Sequence, residues 1–144
     1  MNKRSVLAGL AVASLLVGGV PASAHHSVSA QFDVDQIKMV KGVLKKVEWI
    51  NPHPYLTFTV TPSGGAAYDL ATESMAPAAL RRAGLSGRDA LKVGESYTLY
   101  YSPARNGKQT IGLLMAFTLP DGKTVGALSA RQVVQVEELK KANR

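Results

Sequence analysis

From Tyr55 to Thr61 the chain alternates strictly, with Tyr55, Thr57, Thr59 and Thr61 standing against Leu56, Phe58 and Val60. A period of two with one apolar face predicts a half-buried strand. Upstream, "KMVKGVLKKVEWI" (38–50) sets Met39, Val43 and Val47 among lysines. Its β-branched residues predict a long strand, with Gly42 marking a bend or bulge. Between these two strands, Asn51-Pro52-His53-Pro54 is a stiff breaker, because each proline fixes its own φ and biases the residue before it away from helix. Downstream, Pro62-Ser63-Gly64-Gly65 predicts a turn and "AAYDLAT" (66–72) a short third strand.

The period then changes. In "SMAPAALRRAGL" (74–85), Ser74 is a candidate N-cap, Pro77 suits a first helical turn, Leu80 faces inward and Gly84 is a stop, which together predict a short helix. "GESYTLYYSPA" (94–104) alternates again, Asn106-Gly107 suits a tight turn, and a strand is expected from Ile111 to Leu119. Pro120-Asp121-Gly122 turns the chain into a short return strand, and Ser129 to Lys141 reads as a terminal helix. The order strand, strand, strand, helix, strand, strand is that of the OB barrel. The expected fold class is therefore all-β: a small OB-like barrel of five to six strands with one short helix and a C-terminal helical tail. A six-stranded barrel or sandwich of other connectivity would give the same string.

The first 24 residues have the three parts of an export signal. Lys3 and Arg4 are followed by fifteen apolar and small residues from Val6 to Val20, and Ala22-Ser23-Ala24 fits the A-x-A cleavage pattern. The apolar run falls short of the roughly 20 residues that a membrane span needs, so cleavage at Ala24/His25 is expected rather than stable membrane insertion. The expected organisation is a signal peptide (1–24), an extended N-terminal segment (25–37), the barrel domain (38–128) and a C-terminal helix or tail (129–144).

Composition narrows the function classes. The chain carries a net charge of +7, and removing residues 1–24 leaves +5 over 120 residues. Its lysines and arginines are scattered, which suits a solvated surface better than a nucleic-acid footprint. The aromatic interleaving of a nucleic-acid-binding OB domain is thin, so no nucleic-acid partner is expected. The absence of cysteine excludes thiol chemistry and thiolate metal sites, and in an exported chain it points to a bacterial periplasm or exterior. Neither a P-loop, G-x-G-x-x-G, H-E-x-x-H nor G-x-S-x-G motif occurs, and the sparse carboxylates form no catalytic pair. No catalytic residue can be named.

What remains is histidine. The chain has three: His25 and His26, directly after the cleavage pattern, and His53 between its two prolines. Cleavage at Ala24 would make His25 the N-terminus, where a free α-amine (pKa about 8) and its own imidazole can chelate one metal ion. A second imidazole completes a three-nitrogen brace, and that donor set favours copper among divalent ions. Cleavage after Ala22 would leave His25 third from a free amine, which is also a strong Cu(II) chelator. His26 and His53 are the candidate partners of His25. The bland alternatives are solvated histidines exposed by chance and a turn histidine whose ring caps a backbone carbonyl. Glu48 and Asn51 are candidates to orient a ligating imidazole through hydrogen bonds. Asp33 and Asp35 are expected to solvate the linker, and Trp49, Tyr55, Tyr97, Tyr100 and Tyr101 to be core and wall material.

Several strings together resemble a family of small exported bacterial proteins of unknown function: "AHHSVSAQFD", "GVLKKVEWINPHPYLTF", "LRRAGLSGRDALKVGE" and "LPDGK". The resemblance covers about Ala24 to Lys123. Its most specific parts are the Ala-His-His-Ser start and the Glu-Trp-x-Asn-Pro-His string, matched here by His25, His26, Ser27, Glu48, Trp49, Asn51, Pro52 and His53. The chain departs from the pattern at Val28, where an aromatic residue is expected. The resemblance implies no activity, but it places all three histidines inside the family's signature strings.

The expectation is a periplasmic metal-binding protein, with copper as the ion, that carries or buffers it through His25, His26 and His53. A copper-oxygenase-type enzyme would use the same brace but needs a broad substrate face, which this small barrel lacks. The alternative is a module without metal whose barrel groove takes a small molecule, a peptide or an envelope partner.

Overall fold

The computed structural model describes the backbone of residues 26–143 and the side chains of residues 28–143. The expected signal peptide and His25 lie outside these residues. A short helix, α1 (His26–Gln31), leads into strands β1 (Lys38–Glu48), β2 (Tyr55–Val60) and β3 (Tyr68–Glu73). Helix α2 (Pro77–Arg82) and a 3-10 turn (Arg88–Ala90) follow, then β4 (Ser96–Pro103), β5 (Ile111–Thr118), β6 (Thr124–Gly126) and the C-terminal helix α3 (Ala130–Ala142).

Strand β1 serves two neighbours. Its second half, Gly42–Glu48, pairs antiparallel with β2, and its first half, Lys38–Val43, pairs antiparallel with β4. β2 pairs with β3 and β4 with β5, both antiparallel. A parallel pairing of β3 with β5 through Ala71–Glu73 and Ile111–Leu113 then closes the ring β1-β2-β3-β5-β4. This is the OB connectivity, with α2 between β3 and β4, and β6 added on β5 beyond the point where β3 leaves it. Closure leaves no long open edge on the five-stranded ring.

The irregularity of β1 does not fall at Gly42. The β1–β2 register slips at Lys45, between Leu44 and Lys46. Gly42 serves close approach instead: a Cβ there would lie 3.0 Å from Phe58 Cβ and 3.3 Å from Val60 Cγ2. In β1 buried Gly42 and Leu44 alternate with exposed Lys41, Val43 and Lys45, and β2 alternates buried Leu56, Phe58 and Val60 with half-buried Tyr55, Thr57 and Thr59. These inward faces meet Leu70, Tyr97, Leu99, Leu114, Phe117 and Val125 in the main core, which Leu80 on α2 and Leu85 join. Phe58 and Phe117 each meet Tyr97 edge-on, with centroids 6.0 and 6.3 Å apart.

A second, smaller cluster lies under α3, where Val136 packs with Ile37, Tyr100 and Ala116. The helix begins with a capping box: the Ser129 side chain accepts from Gln132 N, and Gln132 Oε1 accepts from Ser129 N. The other predicted cap does not form. α2 starts after Ala76 with no side-chain cap, and Ser74 instead donates its backbone N–H to Pro54 O at 2.9 Å.

The segment 25–37, expected to be extended, carries helix α1 and is pinned to the barrel. Phe32 is buried and bridges Ala104, Asp33 N donates to Pro103 O at 2.9 Å, and Arg105 Nε donates to Ser29 O at 2.7 Å. Asp33 and Asp35 do more than solvate this stretch. They face Arg105 at 3.6 Å and Arg131 at 3.2 Å, tying the linker to the barrel and to α3. A six-residue helix is too short to show a 3.6-residue apolar period, so docking rather than amphipathic pattern accounts for it.

Candidate functional site

Two prolines shape the corner between β1 and β2. Asn51-Pro52 is a cis peptide, Pro54 is fully buried, and the Ser74 N–H on Pro54 O ties the corner to the end of β3. One residue further, Tyr55 pairs with Glu73. His53 is held between these anchors with its ring half-buried, and its Nδ1 lies 3.1 Å from Ser74 O. A carbonyl oxygen can only accept, so Nδ1 is the donor in this contact, an arrangement that in a neutral imidazole leaves the lone pair on Nε2. This is the contact expected of a turn histidine whose ring caps a backbone carbonyl; metal-ligating imidazoles are commonly oriented in the same way.

His53 lines a cavity of about 270 Å³ at a gap in the strand connectivity. β3 leaves the edge of β5 at the Glu73–Leu113 pair, and β6 joins that edge at Gly126–Ala116. Leu114 and Met115 fall between the two neighbours, and the cavity opens there. Glu73, Ser74 and Met75 form one wall, and Leu113, Leu114 and Met115 the facing one. Ala127 after β6 and the half-buried Val28 of α1 complete the lining.

Met115 reaches this wall through a β-bulge. The β4–β5 register passes from Tyr101–Leu114 directly to Tyr100–Ala116, leaving Met115 as the extra residue. A bulge bends its strand and re-aims the side chain of the extra residue. The Met115 carbonyl accepts from Ala127 N at 3.2 Å.

Two polar groups mark the cavity besides His53. Glu73 accepts from Tyr55 Oη at 3.0 Å. Burial, then the hydrogen bond and charge of Glu73, push the Tyr55 hydroxyl above the usual tyrosine range, so it stays a donor. Ser74 is 2 % exposed, and its hydroxyl has no hydrogen-bond partner among the described residues. Such a buried, unpartnered hydroxyl is uncommon.

The remaining expected site residues are placed as follows. Glu48 pairs with Lys46 at 2.8 Å, and the acceptor for the His53 N–H is Ser74 O rather than Glu48. Asn51 is exposed at the corner. Trp49 packs on the main core, with the Arg88 guanidinium 5.0 Å from its ring centroid. His26 opens α1, while its side chain and all of His25 lie outside the described residues. Among the described residues, no three His, Cys, Asp or Glu side chains stand together as a metal cluster. Sequence reasoning missed Glu73, Ser74, Met75 and Met115, which reach His53 only through the β2–β3 register and the barrel closure.

A model of a family of unknown function, DUF6152, matches residues 11–114. The match starts inside the expected export signal and ends at Leu114 in β5, so Met115, β6 and α3 lie beyond it. No curated protein and no solved structure matches the chain.

Proposed function

The chain belongs to DUF6152, a family of unknown function, and from its own residues we propose that it is a periplasmic or secreted copper-binding protein that carries or buffers the ion. The ligands in this reading are the α-amine and ring of His25, with His26 and His53. The observation that carries it is the Nδ1 contact of His53 with Ser74 O, which uses Nδ1 for the backbone and puts the lone pair of the neutral ring on Nε2, at a proline corner. A ligand fixed before binding loses little entropy when the ion arrives.

Chain geometry supplies the second support. Val28 lines the same cavity as His53, and α1 is held there by Arg105 and Phe32. Val28 lies three positions after His25, and three residues of chain span at most about 11 Å. The carboxylate of Glu73 adds negative charge to the cavity wall, which favours a cation. Imidazole and amine donors without any thiolate suit Cu(II). In this reading the export signal is removed at Ala24/His25. Among the described residues, no helix is long and apolar enough to cross a membrane.

A second reading draws on the same cavity. Val28, Leu113, Leu114 and Met75 make it mostly apolar, and the Ser74 hydroxyl offers one unused polar anchor. Its volume lies near the lower end of small-molecule pockets, about 300 Å³. That combination suits a module that takes a small apolar ligand, or an apolar side chain of a peptide or envelope partner.

Titration of Cu(II) against a competing chelator separates the two. His53→Ala in the protein beginning at His25 is expected to weaken Cu(II) binding by at least roughly 10- to 100-fold, the loss that even outer hydrogen-bond partners of metal ligands cause. Equal affinity in the variant would take His53 out of the site and favour the apolar-ligand reading.

A further inference from the structure

Three methionines stand among the described residues, and two of them, Met75 and Met115, line the His53 cavity. Neither is committed to the deep core. Both are half-buried; Met75 packs against the edge of the main core and Met115 against the small cluster under α3. Methionine ordinarily fills irregular gaps because its unbranched chain adapts to them. Here two methionines line one cavity, and one of them is the extra residue of a bulge that interrupts the β4–β5 ladder. Leucine would serve simple packing at both positions.

The donor chemistry is selective. Thioether sulfur is a soft ligand that favours Cu(I) and contributes little to hard ions such as Mg²⁺ or Ca²⁺. The facing imidazole suits copper in either oxidation state. Glu73 places one negative charge on the wall, and a monovalent cation would balance it. The buried Ser74 hydroxyl, which has no partner among the described residues, leaves a polar group on the wall for an occupant to meet.

We propose that this cavity is a cuprous-ion site, in which His53 supplies one imidazole and Met75 and Met115 two thioethers. The inference deepens the proposed function and rests on it in one respect, that His53 is a ligand. It does not require the α-amine of His25. Donors for both oxidation states of copper then converge on one ring: nitrogen donors from the N-terminus for Cu(II), and sulfur donors from the barrel for Cu(I).

The test is an anaerobic Cu(I) titration of the full mature chain against a chromophoric Cu(I) chelator, run beside a Cu(II) titration and copper K-edge X-ray absorption. Met75→Leu and Met115→Leu nearly conserve volume, so the fold should tolerate them. Each is expected to lower Cu(I) affinity at least tenfold, the double variant further, with Cu(II) affinity changed less than twofold. X-ray absorption of the Cu(I)-loaded native protein should show sulfur among the nearest neighbours, a readout that stands even where a variant fails to fold. Unchanged Cu(I) affinity in a folded double variant, a Cu(I) spectrum with nitrogen and oxygen neighbours only, or no Cu(I) binding at all would each overturn the inference. Loss of Cu(II) binding in the native protein with the Cu(I) result intact would refute the N-terminal brace alone.

Discussion

Capping the α-amine of His25 with an acetyl group is expected to lower Cu(II) affinity roughly 100-fold or more while leaving every imidazole in place. In the proposed site the amine and the His25 ring chelate the same ion, so acetylation removes a ligand and opens a chelate ring in one change. That loss should exceed the 10- to 100-fold effect of disturbing a ligand's hydrogen-bond partner. Adding one residue before His25 is not an equivalent experiment, because it would put His26 third from a new free amine, itself a strong Cu(II) chelator. Chelator competition on acetylated and free protein measures the effect. Equal affinities would mean that the amine takes no part.

The second large effect is on the barrel. Phe58→Ala is expected to destabilise the protein by about 3–5 kcal/mol. Phe58 is 0 % exposed, meets Tyr97 edge-on and pairs with the fully buried Leu44 across the β1–β2 ladder. Removing the ring forfeits about 1.5–3 kcal/mol of transfer free energy and leaves a void that the closed strands cannot collapse to fill. Against a typical total of 5–15 kcal/mol, this is a large fraction of the stability of one small domain. The midpoint of thermal unfolding should fall by about 10–25 °C. Val43 on the same sheet is 40 % exposed, and Val43→Ala should change little by comparison. A loss under 1 kcal/mol for Phe58→Ala, measured by denaturant titration, would mean that the ring is not enclosed as described.

The barrel could be read from the sequence because its signals are local. Alternation in β2, the Asn106-Gly107 turn, with Gly107 at φ +76°, and the Ser129 cap each rest on a few adjacent residues. The ordering of these elements then narrowed the topology to few choices, with the OB barrel among them. His53 was legible for the same reason, since its two flanking prolines mark a corner without any tertiary information.

The walls around His53 were not legible. Tyr55 opposite Glu73 depends on the length of the irregular connection between β2 and β3, residues 61–67, for which there is no counting rule like that of a two-residue hairpin. The contact of Glu73 with Leu113 crosses 40 positions of chain, and the bulge at Met115 is decided by how β4 and β5 meet in the closed ring. Ser74 shows the competition directly: by sequence it is a good helix cap, but the corner at Pro54 captures its backbone first. Likewise Asp33 and Asp35 read as linker charges until the fold brings Arg105 and Arg131 against them.

The most direct test of the central claim is the intact mass of the protein recovered from the periplasm or medium of bacteria that express the full chain, recorded under native conditions before and after addition of one equivalent of Cu(II). It fixes the first residue and the metal stoichiometry in one experiment. The account predicts a chain that begins at His25 and gains the mass of a single copper ion. A chain that still carries Met1, or one that begins at His25 and gains no copper, would contradict it.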